Sequence, residues 1–331
     1  MRTGWGMEAR HRKALLEIAG PGVRFDRPMR LYTTYRVGGN AAAFFRAQNL
    51  AGLRRVLDFL EAASIPWLVV GKGSNLLIGD KGFDGVVIRL RGSLASMEGS
   101  RRKGIVMAGG GATNRRLLDF CANQGFGGLE FLAGIPGTAG GAVALNAGAL
   151  GREIVDVVDR VELAIPHREP LRVSVHDLAF GYRRCSLPHG AVVTRVWFGV
   201  REDDPGAVSW RIAANLDRRR RVQPRGLPSA GSVFRNPPGD SAGRLLEKAG
   251  LKGERIGGAA ISTEHANWIV NTGDATAADI YGLMTKAREV VLRKTGVALE
   301  PEVHVVGIRE KVRSAPGDGS ANASGDEGRN G

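Results

Sequence analysis

Between residues 71 and 151 the chain carries three glycine-rich segments: GKGSN at 71–75, GGG at 109–111 and GIPGTAGGAVALNAGALG at 134–151. Segments of this kind are suited to holding a phosphate. Clustered backbone N–H groups form an anion nest, and in the first segment the Ser74 hydroxyl and the Asn75 amide add donors. GGG stands just before a helix N-terminus, where anions are stabilised. The Pro turn and small residues of the third segment let backbone approach a ligand closely. Each segment alone reads more readily as a structural turn, whereas three in succession point to an extended dinucleotide. No G-x-G-x-x-G joins a first strand to a helix, and no G-x-x-x-x-G-K-[ST] occurs, so a dinucleotide held outside a Rossmann fold is what remains.

Other chemistries find less support. Two cysteines, Cys121 and Cys185, stand without any C-x-x-C in 331 residues, which argues against a disulfide scaffold or structural zinc and fits a reducing compartment. The six histidines are scattered with no H-E-x-x-H, so no metal is inferred. Forty-seven Lys and Arg against 33 Asp and Glu leave a net charge of +14, a balance that suits nucleic acid, a membrane surface or phosphorylated small molecules. Part of it sits in Arg218–Arg221, which reads equally as the solvated face of a helix. No aromatic-studded RNA motif, zinc finger or helix-turn-helix accompanies it, so a polyanion-binding protein stays an alternative resting on charge alone. With no signal-peptide core at the N-terminus and no run of the roughly 20 apolar residues a membrane span needs, a soluble cytoplasmic protein is expected.

The elements that would position these loops follow from periodicity. A short amphipathic helix is expected over 7–18, ended by Gly20-Pro21-Gly22. Asn49 caps a helix with Leu50, Leu53, Val56, Leu57 and Leu60 at helical spacing, and Thr113 caps another carrying Leu117, Leu118 and Cys121. Strands are expected at 67–70, 85–90, 105–108, 158–164, 171–175 and 191–200. Next come a helix at about 206–221, a second from Ser241 to Gly250, and strands near 257–261 and 267–271. Thr276 and Asp279 form a capping box for a long helix with Ile280, Leu283, Met284, Ala287 and Val291 as its apolar stripe, closed by Gly296. A strand from Leu299 to Val306 ends the fold, and a polar tail from about Arg309 is expected to be disordered. The class is α+β.

Seven segments in order carry a resemblance: TTYRVGGNA (33–41), VVGKGSNLLIGDKGFDGVVI (69–88), GLEFLAGIPGTAGGAVALNAGALG (128–151), FGYRRC (180–185), PSAGSVFRNP (228–237), EHANWIVN (264–271) and LEPEVHVVG (299–307). Over about residues 22–308 the chain resembles the UDP-N-acetylenolpyruvoylglucosamine reductases (UDP-N-acetylmuramate dehydrogenases), flavoenzymes of bacterial cell-wall synthesis. The first three motifs are shared in outline with other flavoproteins of the vanillyl-alcohol-oxidase type; the last four are much less so. The resemblance implies a two-subdomain FAD-binding fold of that (PCMH) type over 22–204, divided near residue 90, and a C-terminal α+β substrate-binding domain over 205–308. An N-terminal extension (1–21) and a tail (309–331) flank them.

The resemblance further implies FAD as cofactor, NADPH as co-substrate and a monomer that needs no nucleic acid or membrane. FAD contacts fall on Tyr35, Gly71, Lys72, Gly73, Ser74, Asn75, Leu76, Gly110, Gly111, Ile135, Pro136, Gly137, Thr138, Gly140 and Gly141, with Asn146 and Gly148 as additions. Arg183 matches the family's catalytic arginine, Ser232 its proton donor and Glu302, in preference to Glu300, its third catalytic residue. Asn236 and His265 match substrate-contacting positions, and one of Arg218–Arg221 is expected to meet the diphosphate. Two departures stand out: Cys185 replaces the family's usual serine, and SLPHGAVV after it lacks the tyrosine-bearing loop of the larger type, which places the chain with the smaller, loop-lacking type. An FAD-dependent alcohol or lactone oxidase of the same fold is the alternative enzyme, distinguished by having no reason to carry Arg183, Ser232 and Glu302 together.

Overall fold

The structure, a computed structural model, describes residues 6–308; the tail expected from Arg309 lies outside them. Three lobes organise the chain, the first with hydrophobic clusters on both faces of its sheet and the other two with one core each, and the candidate catalytic residues lie where the second and third meet.

The first lobe comprises α1 (Ala9–Ala19), β1 (Val23–Pro28), β2 (Asn40–Ala47), α2 (Leu50–Ala62), β3 (Trp67–Val69), β4 (Leu76–Ile78) and β5 (Phe83–Leu90). Its sheet runs β1-β2-β5-β3, with β2 and β3 both parallel to β5. The Asn49 side chain accepts from Gly52 N–H to start α2, whose Leu53, Val56, Leu57 and Leu60 are buried against the sheet. Helix α1 belongs to this lobe: Leu15 is wholly buried in the same core, so the expected extension is packed into the domain.

The second lobe is a five-stranded antiparallel sheet of order β12-β11-β15-β7-β6. Its elements are β6 (Met97–Ser100), β7 (Ile105–Gly109), α3 (Asn114–Gln124), β8 (Phe126–Gly127), α4 (Ala139–Ala144), β9 (Gly148–Ala149), β10 (Arg152–Glu153), β11 (Val158–Ala164), β12 (Leu171–Ser174), β13 (Ala179–Gly181), β14 (Arg184–Ser186), β15 (Val192–Gly199) and β16 (Arg201–Glu202). Helix α5 (Pro205–Val222), expected to open the C-terminal domain, lies on this lobe instead. Ile212 and Leu216 pack into the second core, Arg211 pairs with Glu130 at 2.8 Å, and the Asn215 amide donates to the Glu130 carbonyl.

The third core is built by β17 (Ser229–Ser232), α6 (Ala242–Lys248), β18 (Arg255–Ile256), β19 (Ala259–Ile261), β20 (Trp268–Asn271), α7 (Ala277–Thr295) and β21 (His304–Val306). The antiparallel sheet β17-β20-β19-β18 carries α7, whose capping box and left-handed Gly296 stop are both formed. The strand expected over 299–306 is shorter, because Pro301 has no N–H to donate and makes only an isolated bridge to Phe234. Strand β21 stands apart from that sheet and pairs in parallel with β4 of the first lobe. Three further ties fix the domain: Asp80 accepts from the Ala277 and Ala278 N–H groups that open α7, Asn271 donates to the Tyr35 carbonyl, and Tyr35 and Val37 insert into the third core.

Candidate active site

Arg183 occupies the tip of the β13–β14 hairpin with φ +55°. For a non-glycine residue that conformation costs roughly 1–2 kcal/mol. The guanidinium is held by its Nε 3.2 Å from Glu302 Oε1, its Nη1 3.5 Å from Glu153 Oε1 and its Nη2 donating to the Gly148 carbonyl at 3.2 Å. Charge-assisted hydrogen bonds contribute about 1.5–3 kcal/mol each, so these contacts outweigh the strain. The Tyr182 ring lies under the guanidinium at 4.8 Å.

The hairpin rests on Asn146. This residue is buried, at φ +40°, and its amide donates to Glu153 Oε2 at 2.7 Å and to the Gly181 carbonyl at 3.1 Å. Asn146 and Gly148, expected beside the flavin, therefore have their side chain and carbonyl engaged in seating Arg183. Cys185, opposite Phe180 in the hairpin, packs into the second core, and burial pushes its thiol up to about 11. It fills space as a neutral thiol.

Glu302 is clamped by its backbone. Its N–H donates to the Val233 carbonyl at 2.8 Å, one residue from Ser232, while its own carbonyl accepts from the Asn75 amide at 3.0 Å. The GKGSN loop, the Ser232 segment and the Arg183 hairpin thus converge on one peptide. Burial raises the Glu302 carboxyl above the ordinary glutamate range, more than the facing Arg183 and Arg235 lower it. Glu300 differs: its side chain is 76% exposed against 20% for Glu302, and it pairs with Arg235 at 3.5 Å. Ser232 ends β17 after a register shift opposite Trp268, and among the described residues its hydroxyl has no hydrogen-bond partner.

The glycine loops meet as the sequence suggests. Ser74 Oγ donates to the Pro136 carbonyl at 2.6 Å, joining 71–75 to 134–138. A cavity of about 110 Å³ is lined by Gly71, Gly110, Gly111, Thr138, Gly140 and Gly141 together with Arg89 and Arg91. Part of the glycine requirement is internal. A Cβ at Gly110 would stand 2.0 Å from the Val193 carbonyl and one at Gly73 2.0 Å from the Tyr32 carbonyl, so backbone packing alone demands glycine there. Lys72 and Pro136 are exposed; Leu76 is buried in β4, and Ile135 and Gly137 are half-buried. Tyr35 is enclosed in the third core with its hydroxyl unpartnered, and burial pushes its pKa above the ordinary tyrosine range. Its side chain does not line the cavity.

Asn236 Oδ1 accepts from Ala242 N–H, capping α6, and its residue is exposed. His265 Nδ1 accepts from Asn267 N–H at 3.2 Å, and burial lowers the imidazole below its usual range, with its own backbone contact opposing. Of the Arg218–Arg221 run, three are exposed and Arg221 pairs with Asp217. Arg219 turns inward: it passes over Gly134, its Nε is enclosed without a hydrogen-bond partner, and burial, then Arg183, depress its pKa. Sequence alone could not choose it, because the choice depends on the rotation of α5 against the second lobe. Glu153 was likewise unmarked by any motif.

Two family models match the chain. The FAD binding domain matches residues 41–174, and the UDP-N-acetylenolpyruvoylglucosamine reductase C-terminal domain matches residues 223–306. UDP-N-acetylenolpyruvoylglucosamine reductase from Geobacter metallireducens is 43% identical over 293 residues, covering 88% of this chain and 96% of that protein. The protein of the same name from Alkalilimnicola ehrlichii is 46% identical over 290 residues, covering 87% and 96%. The crystal structure of the reductase from Thermus caldophilus matches with a TM-score of 0.74 at 38% identity, covering 86% of this chain and 98% of that one. With both domains matched, nearly the full length shared and the fold in common, this chain belongs to the UDP-N-acetylenolpyruvoylglucosamine reductase family.

Proposed function

We propose that the chain reduces the enolpyruvyl group of UDP-N-acetylenolpyruvoylglucosamine to give UDP-N-acetylmuramate for peptidoglycan, as a cytoplasmic monomer using FAD and NADPH. The observation that carries this reading is the convergence of Arg183, Glu302 and the Ser232 segment on the GKGSN loop. The residues fit FAD: the cavity presents backbone of both glycine loops with two arginines beside it, and Gly71, Gly110, Gly111, Thr138, Gly140 and Gly141 would hold the cofactor.

FAD, when bound, supplies the hydride that adds to the substrate's methylene carbon, the electrons having come from NADPH. That addition leaves negative charge on the carbon beside the carboxylate, delocalised as an enolate. Arg183 offers a planar cation to those oxygens, already aimed by Glu302, Glu153 and the Gly148 carbonyl. Arg219, a half-buried cation with an enclosed, unpartnered Nε beside Arg183, adds a second donor to the same anion. Ser232, whose hydroxyl is uncommitted, gives its proton to the carbon, which as a carbanion-like centre is a far stronger base than an alkoxide. Glu302, whose carboxyl burial raises above the ordinary glutamate range against the pull of Arg183, stands at the same locus. Asn236 and His265 remain the substrate-contacting side chains of the third domain in this proposal.

The test is the visible spectrum of the purified protein under anaerobic conditions. A flavin band bleached by NADPH and restored by the enolpyruvyl sugar is expected; restoration by oxygen only would overturn the reading in favour of an oxidase. Ser232→Ala is expected to keep reduction by NADPH and to lose reoxidation by the sugar, and equal loss of both half-reactions would sink the proton-donor role.

A further inference from the structure

The backbone N–H groups of glycine loops carry only partial charge, yet the adenosine diphosphate half of FAD brings full negative charges to the cavity. Lys72 is the one cation within the GKGSN loop, and it is exposed. Arg89 and Arg91, by contrast, line the same cavity as the glycines. Arg89 stands on β5 directly in register with Arg46 on β2. Like charges opposed on adjacent strands destabilise a sheet, so this pair calls for an anion. Alternation along the strands puts both on the face of Phe44 and Val87, opposite the face of Ala43, Phe45, Val86 and Ile88 that α2 covers. There Tyr32 stacks on Phe44 at 4.2 Å and receives a hydrogen bond from Arg27 at 3.4 Å, so the aromatic shelf beside the arginines is itself rimmed by a further cation.

Among the described residues no carboxylate pairs with either arginine. Burial, and then repulsion by Arg46 and Arg116, holds Arg91 below the ordinary arginine range; burial, then Arg91, does the same to Arg89, with Tyr32 opposing and Arg46 adding to the repulsion. Among the described residues neither Arg89 nor Arg91 forms an ion pair with an acidic side chain. Two half-buried cations lining a cavity together with glycine backbone form a site for a phosphate anion.

We infer that Arg89 and Arg91, backed by Arg46, are the charge-bearing wall of the cofactor site and take the adenosine diphosphate half of FAD. The inference rests on the FAD reading above and assigns to that cofactor residues that no glycine motif marks. Arg116 adds to the positive field at Arg91.

The experiment uses the full chain stripped of flavin, with FAD affinity read from quenching of flavin fluorescence at low and high salt. Arg89→Gln and Arg91→Gln are each expected to weaken FAD by about tenfold, the scale of one charge-assisted hydrogen bond. The double variant should lose most of the wild type's salt dependence. A second readout isolates the phosphates: in the wild type ADP should displace FAD at least about tenfold better than adenosine, and in the double variant that ratio should fall toward one. Arg89→Lys, which keeps the charge, should recover most of the affinity, and it decides the matter if the double variant does not fold by circular dichroism. FAD affinity within about twofold of wild type in both glutamine variants would overturn the inference, as would an ADP-to-adenosine ratio that the variants leave unchanged. Failure of the wild-type apoprotein to take FAD at all would instead remove the reading on which it rests, a result visible before any variant is made.

Discussion

At Arg183 one guanidinium meets two carboxylates, Glu302 and Glu153, and a third carboxylate belongs to the proposed substrate. A further cation stands nearby in Arg219, whose Nε is enclosed and unpartnered, while Arg235 is already paired with Glu300. A substrate carboxylate arriving there adds negative charge beside Glu302, which reinforces the upward shift that burial already gives it. The sign of the pH dependence follows. Below its raised pKa Glu302 carries its proton, and as pH rises through that value the proton is lost. The sugar-dependent half-reaction is therefore expected to slow on the alkaline side while reduction by NADPH keeps its rate. Glu302→Gln, neutral at every pH but unable to pass a proton, should abolish that alkaline limb and slow the step about 100-fold or more. Stopped-flow absorbance against pH checks both; an unchanged limb in the variant would assign it to another group.

At the scale of elements, two links decide where the third domain sits. Asn75 ties the GKGSN loop to the Glu302 peptide, and His304 N–H returns a bond to the Asn75 carbonyl at 3.1 Å. Asn75→Ala should retain folded protein but loosen Glu302, so the sugar half-reaction falls more than FAD content does. Equal falls in the two would make Asn75 a cofactor residue only. Asp80 reaches across to the first two N–H groups of α7, an acidic group at a helix N-terminus. Asp80→Ala is expected to destabilise the fold by about 1 kcal/mol, read as a lower denaturant midpoint at unchanged slope. The same element view explains α5. Its cap, Pro at its first turn and basic last turn make it a helix in any setting, but the faces of Arg211, Asn215 and Arg219 dock it on the second lobe, not the third.

For the whole molecule, the first two lobes line the cavity of the glycine loops, and strand β21 threads from the third domain onto β4 of the first. A ligand that binds only the folded cavity stabilises the fold by mass action. FAD at about 100 times its Kd should add roughly 2.7 kcal/mol and raise the Tm by several degrees, roughly 2–4 °C per kcal/mol for domains of this size. A thermal scan of apoprotein with and without FAD checks this, and no shift would mean the cleft does not bind FAD in the folded state. The +14 charge, which by itself suggested nucleic acid, has a partial account within the molecule, since Arg89, Arg91, Arg183 and Arg219 all face inward. Among the described residues no helix is long and apolar enough to cross a membrane, and no cluster of His, Cys, Asp and Glu could hold a metal ion.

Local chemistry determined much of this from the sequence. Helices α2, α3, α5 and α7 follow from caps and 3.6-residue periodicity, and α7 closes at Gly296 as its motif requires, because these signals act within one turn of the chain. The three glycine loops were legible too, from composition, and the resemblance to a family singled out Arg183, Ser232 and Glu302 as candidates, of which the structure pairs Arg183 with Glu302. Pairing across long separations was not. Strands β1, β2, β6 and the β13–β14 hairpin carry weak or interrupted alternation, and Pro301 cuts the last strand short. That Arg219 and not its neighbours turns inward, and that Asn75 and Asn146 spend their amides on protein partners, depend on register and helix rotation. Those are set by how three cores pack, a property no window of neighbouring residues contains.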